Sequence, residues 1–177
     1  MGEADRVDQE DDRVDSPGGE STVPTFDGAT SVLVLAPANA TAVERALLPP
    51  PDRSTDSGLL AVGVTNDPAA TAERYTDQLR TSPGPRALVR VGQASGEGGP
   101  AGATVERIRE PANLTDLGTT VMRAIEGWES GWRAWLDSVD PLVHHASIGK
   151  VCQFTDVFTG RLAREGATTF VRLDPAI

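Results

Sequence analysis

Three groups of residues have the types and spacing to do chemistry. Asp137-Ser138 closes an apolar run, Ala134-Trp135-Leu136, and Asp140-Pro141 turns the chain directly after it. A carboxylate and a hydroxyl at the C-terminal end of a buried strand stand where open α/β sheets bind ligands. A carboxylate in that place can hold Mg²⁺ through water beside a nucleotide. Asn39 and Thr41 occupy the turn after an earlier apolar run, at the start of a helix. The free N–H groups and positive dipole end of such a helix suit an anion. His144, His145 and Lys150 form the third group. Zinc needs three or more protein ligands at suitable spacing, and adjacent histidines point in different directions on any regular element. The two histidines therefore read as capping or surface residues, and no metal site is expected from them. A single lysine without a paired carboxylate or a glycine-rich loop is weak ground for catalysis.

The first two groups also have a purely structural reading. Thr41 can cap its helix, and Asp137 or Ser138 can cap the turn that Asp140-Pro141 completes. Both are favoured, because the usual companion of a strand-end carboxylate is missing. A phosphate-binding loop needs glycines whose N–H groups surround phosphate, a lysine for the β/γ phosphates and a hydroxyl for the metal. The segment Ala36–Arg45, APANATAVER, has neither glycine nor lysine. Asn39, Thr41, Asp137 and Ser138 remain the nucleotide-binding candidates, with Asp137 the candidate for Mg²⁺. No catalytic residue is assigned, and ATP–Mg²⁺ is not expected as a cofactor. Trp128, Trp132 and Trp135 could offer a stacking platform for a base, but core packing is the better reading of an aromatic cluster within a strand.

Elements that could position these groups alternate along the chain. Ser31–Ala36 reads as a strand buried on both faces, and Ala40–Leu48 as a helix ended by prolines. Leu59–Thr65 is a second strand. Asp67 then caps a helix that opens on Pro68 and runs to about residue 79. Arg86–Val91 and Ala103–Ile108 are further strands, separated by a glycine-rich loop. Leu114–Ile125 is an amphipathic helix capped by Asn113 or Thr115. A strand at about Gly131–Leu136 carries the acidic end. Ser147–Glu165 is a helix with Ile148, Val151, Cys152, Phe154, Thr155, Phe158 and Leu162 in its apolar stripe and Gly166 past its end. Ala167–Leu173 is the last strand. The pattern predicts an α/β domain over residues 28–177, with a mainly parallel central sheet and helices on both faces. Residues 1–27, acidic and poor in apolar side chains, read as a disordered tail.

Composition bounds the partners. Sixteen basic against 26 acidic residues give a net charge of −10, which disfavours nucleic acid and anionic membranes. Lys150 is the only lysine, and acidic excess with arginine in its place suggests adaptation to high salt alongside a GC-rich genome. At molar salt the Debye length is about 3 Å, so the self-repulsion is largely screened. Cys152 is the only cysteine and excludes an internal disulfide; it reads as a small core hydrophobe. No signal peptide or bilayer-spanning run is apparent, so a cytoplasmic protein is expected.

The segment WLDSVDPLVHHASIGKVCQFTDVFTGRL resembles the Walker-B region of RecA/KaiC-like ATPases, and SVLVLAPANATAVERAL lies where that family carries its phosphate loop. The resemblance covers about residues 30–175 and is nearest to an uncharacterised haloarchaeal group of degenerate KaiC-like proteins. It implies a three-layer RecA/KaiC-like fold, with Asp137 as the Walker-B carboxylate, Ser138 as the hydroxyl beside it and Thr41 as a loose counterpart of the phosphate-loop hydroxyl. Pro37, Ala38, Asn39 and Ala40 stand where the family has its glycine-rich residues and lysine. The implied protein is a pseudo-ATPase: a non-catalytic regulatory or protein-interaction domain, in signalling or transcriptional regulation, with a protein partner or self-association. The alternative is a nucleotide sensor or weak ATPase that uses Asp137 without a standard phosphate loop.

Overall fold

The computed structural model describes residue 26 and residues 28–37, 39–48, 57–64, 68–92 and 99–175, with the backbone alone for 68–72. The expected tail, apart from Phe26, and the expected cap Asp67 lie outside the described residues. Six strands form one parallel sheet: β1 (Thr30–Leu35), β2 (Leu59–Val64), β3 (Arg86–Val91), β4 (Thr104–Ile108), β5 (Arg133–Leu136) and β6 (Thr168–Leu173), in the order β1-β6-β5-β2-β3-β4. Parallel neighbours need long crossovers, and helices supply most of them. These are α1 (Thr41–Leu47), α2 (Pro68–Thr81), α3 (Leu114–Ala124), α4 (Asp140–His145) and α5 (Ile148–Arg164).

The sheet divides two cores. Because side chains alternate along a strand, Leu59, Ala61, Leu88, Trp135 and Phe170 face one way and pack with Leu47 of α1 and Tyr75 and Leu79 of α2. Leu60, Val62, Val89, Ala134, Leu136 and Val171 face the other way, under Leu117 and Val121 of α3 and Val151, Phe158 and Leu162 of α5. The result is a three-layer α/β domain. Trp132, just before β5, and Trp135 within it are both buried, one in each core. The Trp132 indole donates to the Glu165 carbonyl at 3.0 Å, so its polar edge is satisfied. Among the described residues no helix is long and apolar enough to cross a membrane.

Local chemistry explains the helix ends. The Asn113 side chain accepts from the Asp116 N–H at 3.0 Å and caps α3. At the end of α5, Gly166 adopts φ +84°, and the Gly166 and Ala167 N–H groups donate back to Ala163 and Leu162, each at 3.0 Å. This is the paired closure that a glycine past the last turn permits.

Several expectations are corrected. β1 is not buried on both faces: it lies at the sheet edge, where Val34 packs inward while Leu33 and Leu35 are exposed. A continuous apolar run cannot by itself reveal that α5, though it reaches β1, leaves Leu33 and Leu35 largely uncovered. Ile148 and Cys152 of the expected α5 stripe are exposed, because the helix seats on Val151, Phe158 and Leu162 instead. Asp140-Pro141, expected as a turn, instead opens the helix α4 (Asp140–His145), with Pro141 in its first turn, where a proline needs no hydrogen bond. Thr41 does not cap α1: the cap position is Ala40, which has no side-chain oxygen, and Thr41 is the first helical residue.

Candidate site at the carboxyl edge of the sheet

Chain order places the crevice of this sheet. From β2 the chain continues to β3 and β4 on one side, and from β5 it continues to β6 on the other. The order therefore reverses between β2 and β5, and the carboxyl ends of those strands are where such sheets take ligands. Asp137 follows β5 there, directed to the α1/α2 side by the alternation that also places Trp135 on that side.

Four charged side chains from four elements meet at this edge. Glu44 comes from α1, Arg74 from α2, Asp137 from the end of β5 and Arg172 from β6. Arg74 donates to both Glu44 oxygens, through Nε at 2.7 Å and through a closer contact from Nη2. Arg172 reaches Glu44 Oε1 at 3.1 Å and Asp137 Oδ1 at 2.6 Å. Arg74 Nη1 lies 3.7 Å from the same Asp137 oxygen and closes the ring. Glu44, Asp137 and Arg172 are buried, and Arg74 is about four-fifths so. Two carboxylates and two guanidiniums leave no net charge.

The burial has electrostatic consequences. Removal from water pushes the Glu44 carboxyl above the usual carboxylate range, and the Asp137 charge adds to this against the pull of Arg74 and Arg172. Burial works against the Arg74 charge too, but the hydrogen bond to Glu44 and the nearby Asp137 outweigh it and hold Arg74 above its ordinary value. The Tyr75 hydroxyl, buried beside this ring of charges, is pushed well above its ordinary value by burial and then by Asp137 and Glu44. Below the ring, burial alone lowers the Arg133 guanidinium. Arg133 donates to the Leu47 carbonyl and lies over the Phe170 ring at 5.7 Å, tying β5 to α1 and β6.

Asp137 and Ser138 thus part company. Ser138 takes the structural role: its hydroxyl donates to the Asp140 carboxylate and accepts from the Asp140 N–H at 3.2 Å. The same carboxylate accepts from the Asp174 N–H at 3.2 Å, which fastens the start of α4 to the end of β6. Asp137 faces the two arginines instead. A divalent cation at Asp137 would sit beside two guanidiniums and be repelled by both. Asn39 and Thr41 are exposed at the start of α1, and neither belongs to the charge ring. His144 and His145 are exposed in the last turn of α4. Lys150 lines a groove of about 740 Å³ between α3 and α5, with Asn113, Phe154 and Arg161, on the opposite face of the sheet. Among the described residues no group of three or more His, Cys, Asp or Glu side chains could hold a metal.

Reading the sequence alone missed Glu44, Arg74 and Arg172. Two of them had a signal. Glu44 shares the buried stripe of α1 with Leu47, and Arg172 repeats the Phe170 side of β6. A charge in a core-facing register needs a buried partner. Arg74 carried no such mark, because its α2 neighbours Thr76 and Asp77 are as polar as it is.

The fold and the edge define the class: a parallel three-layer α/β domain that carries a ring of four charged side chains at the carboxyl edge of its sheet. A family model matches residues 29–176, and the chain belongs to that family, described as a family of unknown function, DUF7504. No curated protein matches the chain.

Proposed function

We propose that this protein is a non-catalytic domain of RecA/KaiC-like type, a pseudo-ATPase that acts through protein contacts in regulation. One observation carries the reading: the strand-end carboxylate that would organise Mg²⁺ and a nucleotide, Asp137, is held by Arg172 at 2.6 Å in a ring that also contains Glu44 and Arg74. The first-strand loop supports it, because Ala36–Arg45 supplies neither glycine nor lysine to phosphate. The charge ring ties four elements together through their own side chains, which suits a fold retained for its surface.

The alternative, a nucleotide sensor built on Asp137, requires the ring to open. Isothermal titration with ATP–Mg²⁺ in molar KCl separates the two. The expected result is no heat of binding at micromolar protein and no phosphate release. Micromolar affinity with hydrolysis overturns the pseudo-ATPase reading. Micromolar affinity lost in Asp137→Asn, with an unchanged circular dichroism spectrum, favours the sensor.

A further inference from the structure

The two edges of the sheet are built differently. β4, at one end, reads TVERI: Glu106 and Arg107 place charge on the edge, and Glu106 pairs with Arg123 of α3 at 3.0 Å. Charged side chains are a recognised protection of an open strand edge. β1, at the other end, reads TSVLVL and has no charge and no proline. Its ladder runs unbroken against β6 from Thr30 to Leu35, so no bulge twists the edge away. On the face opposite Val34, Leu33 is 62% exposed and Leu35 63% exposed. The helix α5 reaches β1, and on α5 Ile148 is 67% exposed and Cys152 is exposed. In a chain of net charge −10, an uncharged edge strand with two exposed leucines stands out among the described strands.

We infer that β1 is the interface for a second copy of this chain, paired antiparallel across a two-fold axis at Val34 to make one continuous sheet. The strand is complementary to itself. A two-fold at Val34 sets Leu33 opposite the partner's Leu35 and Leu35 opposite the partner's Leu33, so four leucines gather on the α5 side. Centring on Leu33 instead would set each Leu35 against a Ser31. An apolar strand fits an apolar strand, and the backbone groups of Leu33 to Leu35 find partners in the same step, while Ser31 falls opposite the partner's Pro37, which has no N–H to give. The inference deepens the proposed function by naming a partner for the protein-contact role, and the two fail separately: nucleotide titration does not probe the edge, and the edge does not touch the charge ring.

The test is light scattering of the full chain in 2 M KCl across a concentration series. A dimer is expected, with Kd on the order of micromolar because one strand pair with a small apolar cluster lies at the small end of specific interfaces. Leu33→Glu and Leu35→Lys, each at an exposed position, should weaken self-association at least about a hundredfold while leaving the circular dichroism spectrum unchanged. Mixing the two variants should restore a dimer, because the mixed pair opposes Glu with Lys at one site and Leu with Leu at the other. Three outcomes overturn the inference: a wild-type monomer throughout, as when residues 1–25 of the same chain cover the edge; a dimer indifferent to Leu33→Glu; and a mixture that associates no better than either variant alone.

Discussion

At the level of single residues, Arg172 is the keystone of the carboxyl edge. Among the described residues it is the one cation in contact with both Glu44 and Asp137 inside 3.2 Å. Arg74 shares the load but is partly exposed, so solvent can compensate its loss. Removing one member of a buried ion network leaves an uncompensated charge and costs about 3–5 kcal/mol. Arg172→Met should therefore lower stability by about that amount in urea unfolding at fixed KCl, because it leaves two carboxylates facing each other with one guanidinium. Replacing the ring wholesale by apolar residues of similar volume should cost much less, since buried ion pairs rarely outperform good packing. A loss below about 1 kcal/mol for Arg172→Met would show that its charge is not coupled to the ring. The ring was only half legible in the sequence. Asp137 stood out because it ends an apolar run, whereas its partners lie 35 to 93 positions away in three other elements, and nothing local to Arg74 points across that distance.

At the level of elements, the loop from α5 to β6 shows how backbone geometry fixes a crossover. Gly166 has φ +84°, and a Cβ built there would lie 2.5 Å from the Ser130 Cβ and 2.8 Å from its Cα. The turn is thus both left-handed and pressed against the segment that leads into β5, where the Gly131 N–H donates to the Gly166 carbonyl at 3.0 Å. Gly166→Ala should cost at least about 2 kcal/mol, from the left-handed penalty together with the clash. Thermal unfolding compared with Gly160→Ala, an exposed glycine inside α5 with open space around it, checks the assignment. The control should be neutral or slightly stabilising, because alanine is the better helix residue. Glycine past the last helical turn was readable from the sequence; its contact with Ser130, 36 positions earlier, was not.

At the level of the whole molecule, charge and edge chemistry act together. Carboxylates outnumber basic groups by ten, and the buried ring is neutral, so the excess lies outside it. Repulsion among these charges opposes the compact state at low ionic strength and is screened as the Debye length shrinks. The melting temperature should therefore rise steadily between about 0.1 M and 2 M KCl, by more than the rise for Leu33→Glu, in which salt-promoted self-association no longer contributes. A melting temperature flat across that range would contradict the reading of a salt-adapted surface.

Periodicity, capping chemistry and turn residues determined, from the sequence by itself, the parallel α/β class, ten of the eleven elements among the described residues to within about two residues at each end, and the position of Asp137 at a strand end. These are properties of neighbouring residues, and the chain states them directly. Strand order, the exposed side of β1, the short helix α4 and the partners of Asp137 were decided only in the tertiary structure. Each depends on which distant surfaces cover which, and an apolar run looks the same whether one helix layer lies over it or two. The carboxylate that looked like half of a nucleotide site became a member of a charge ring for the same reason: its arginines arrive from elements that only the folded sheet brings together.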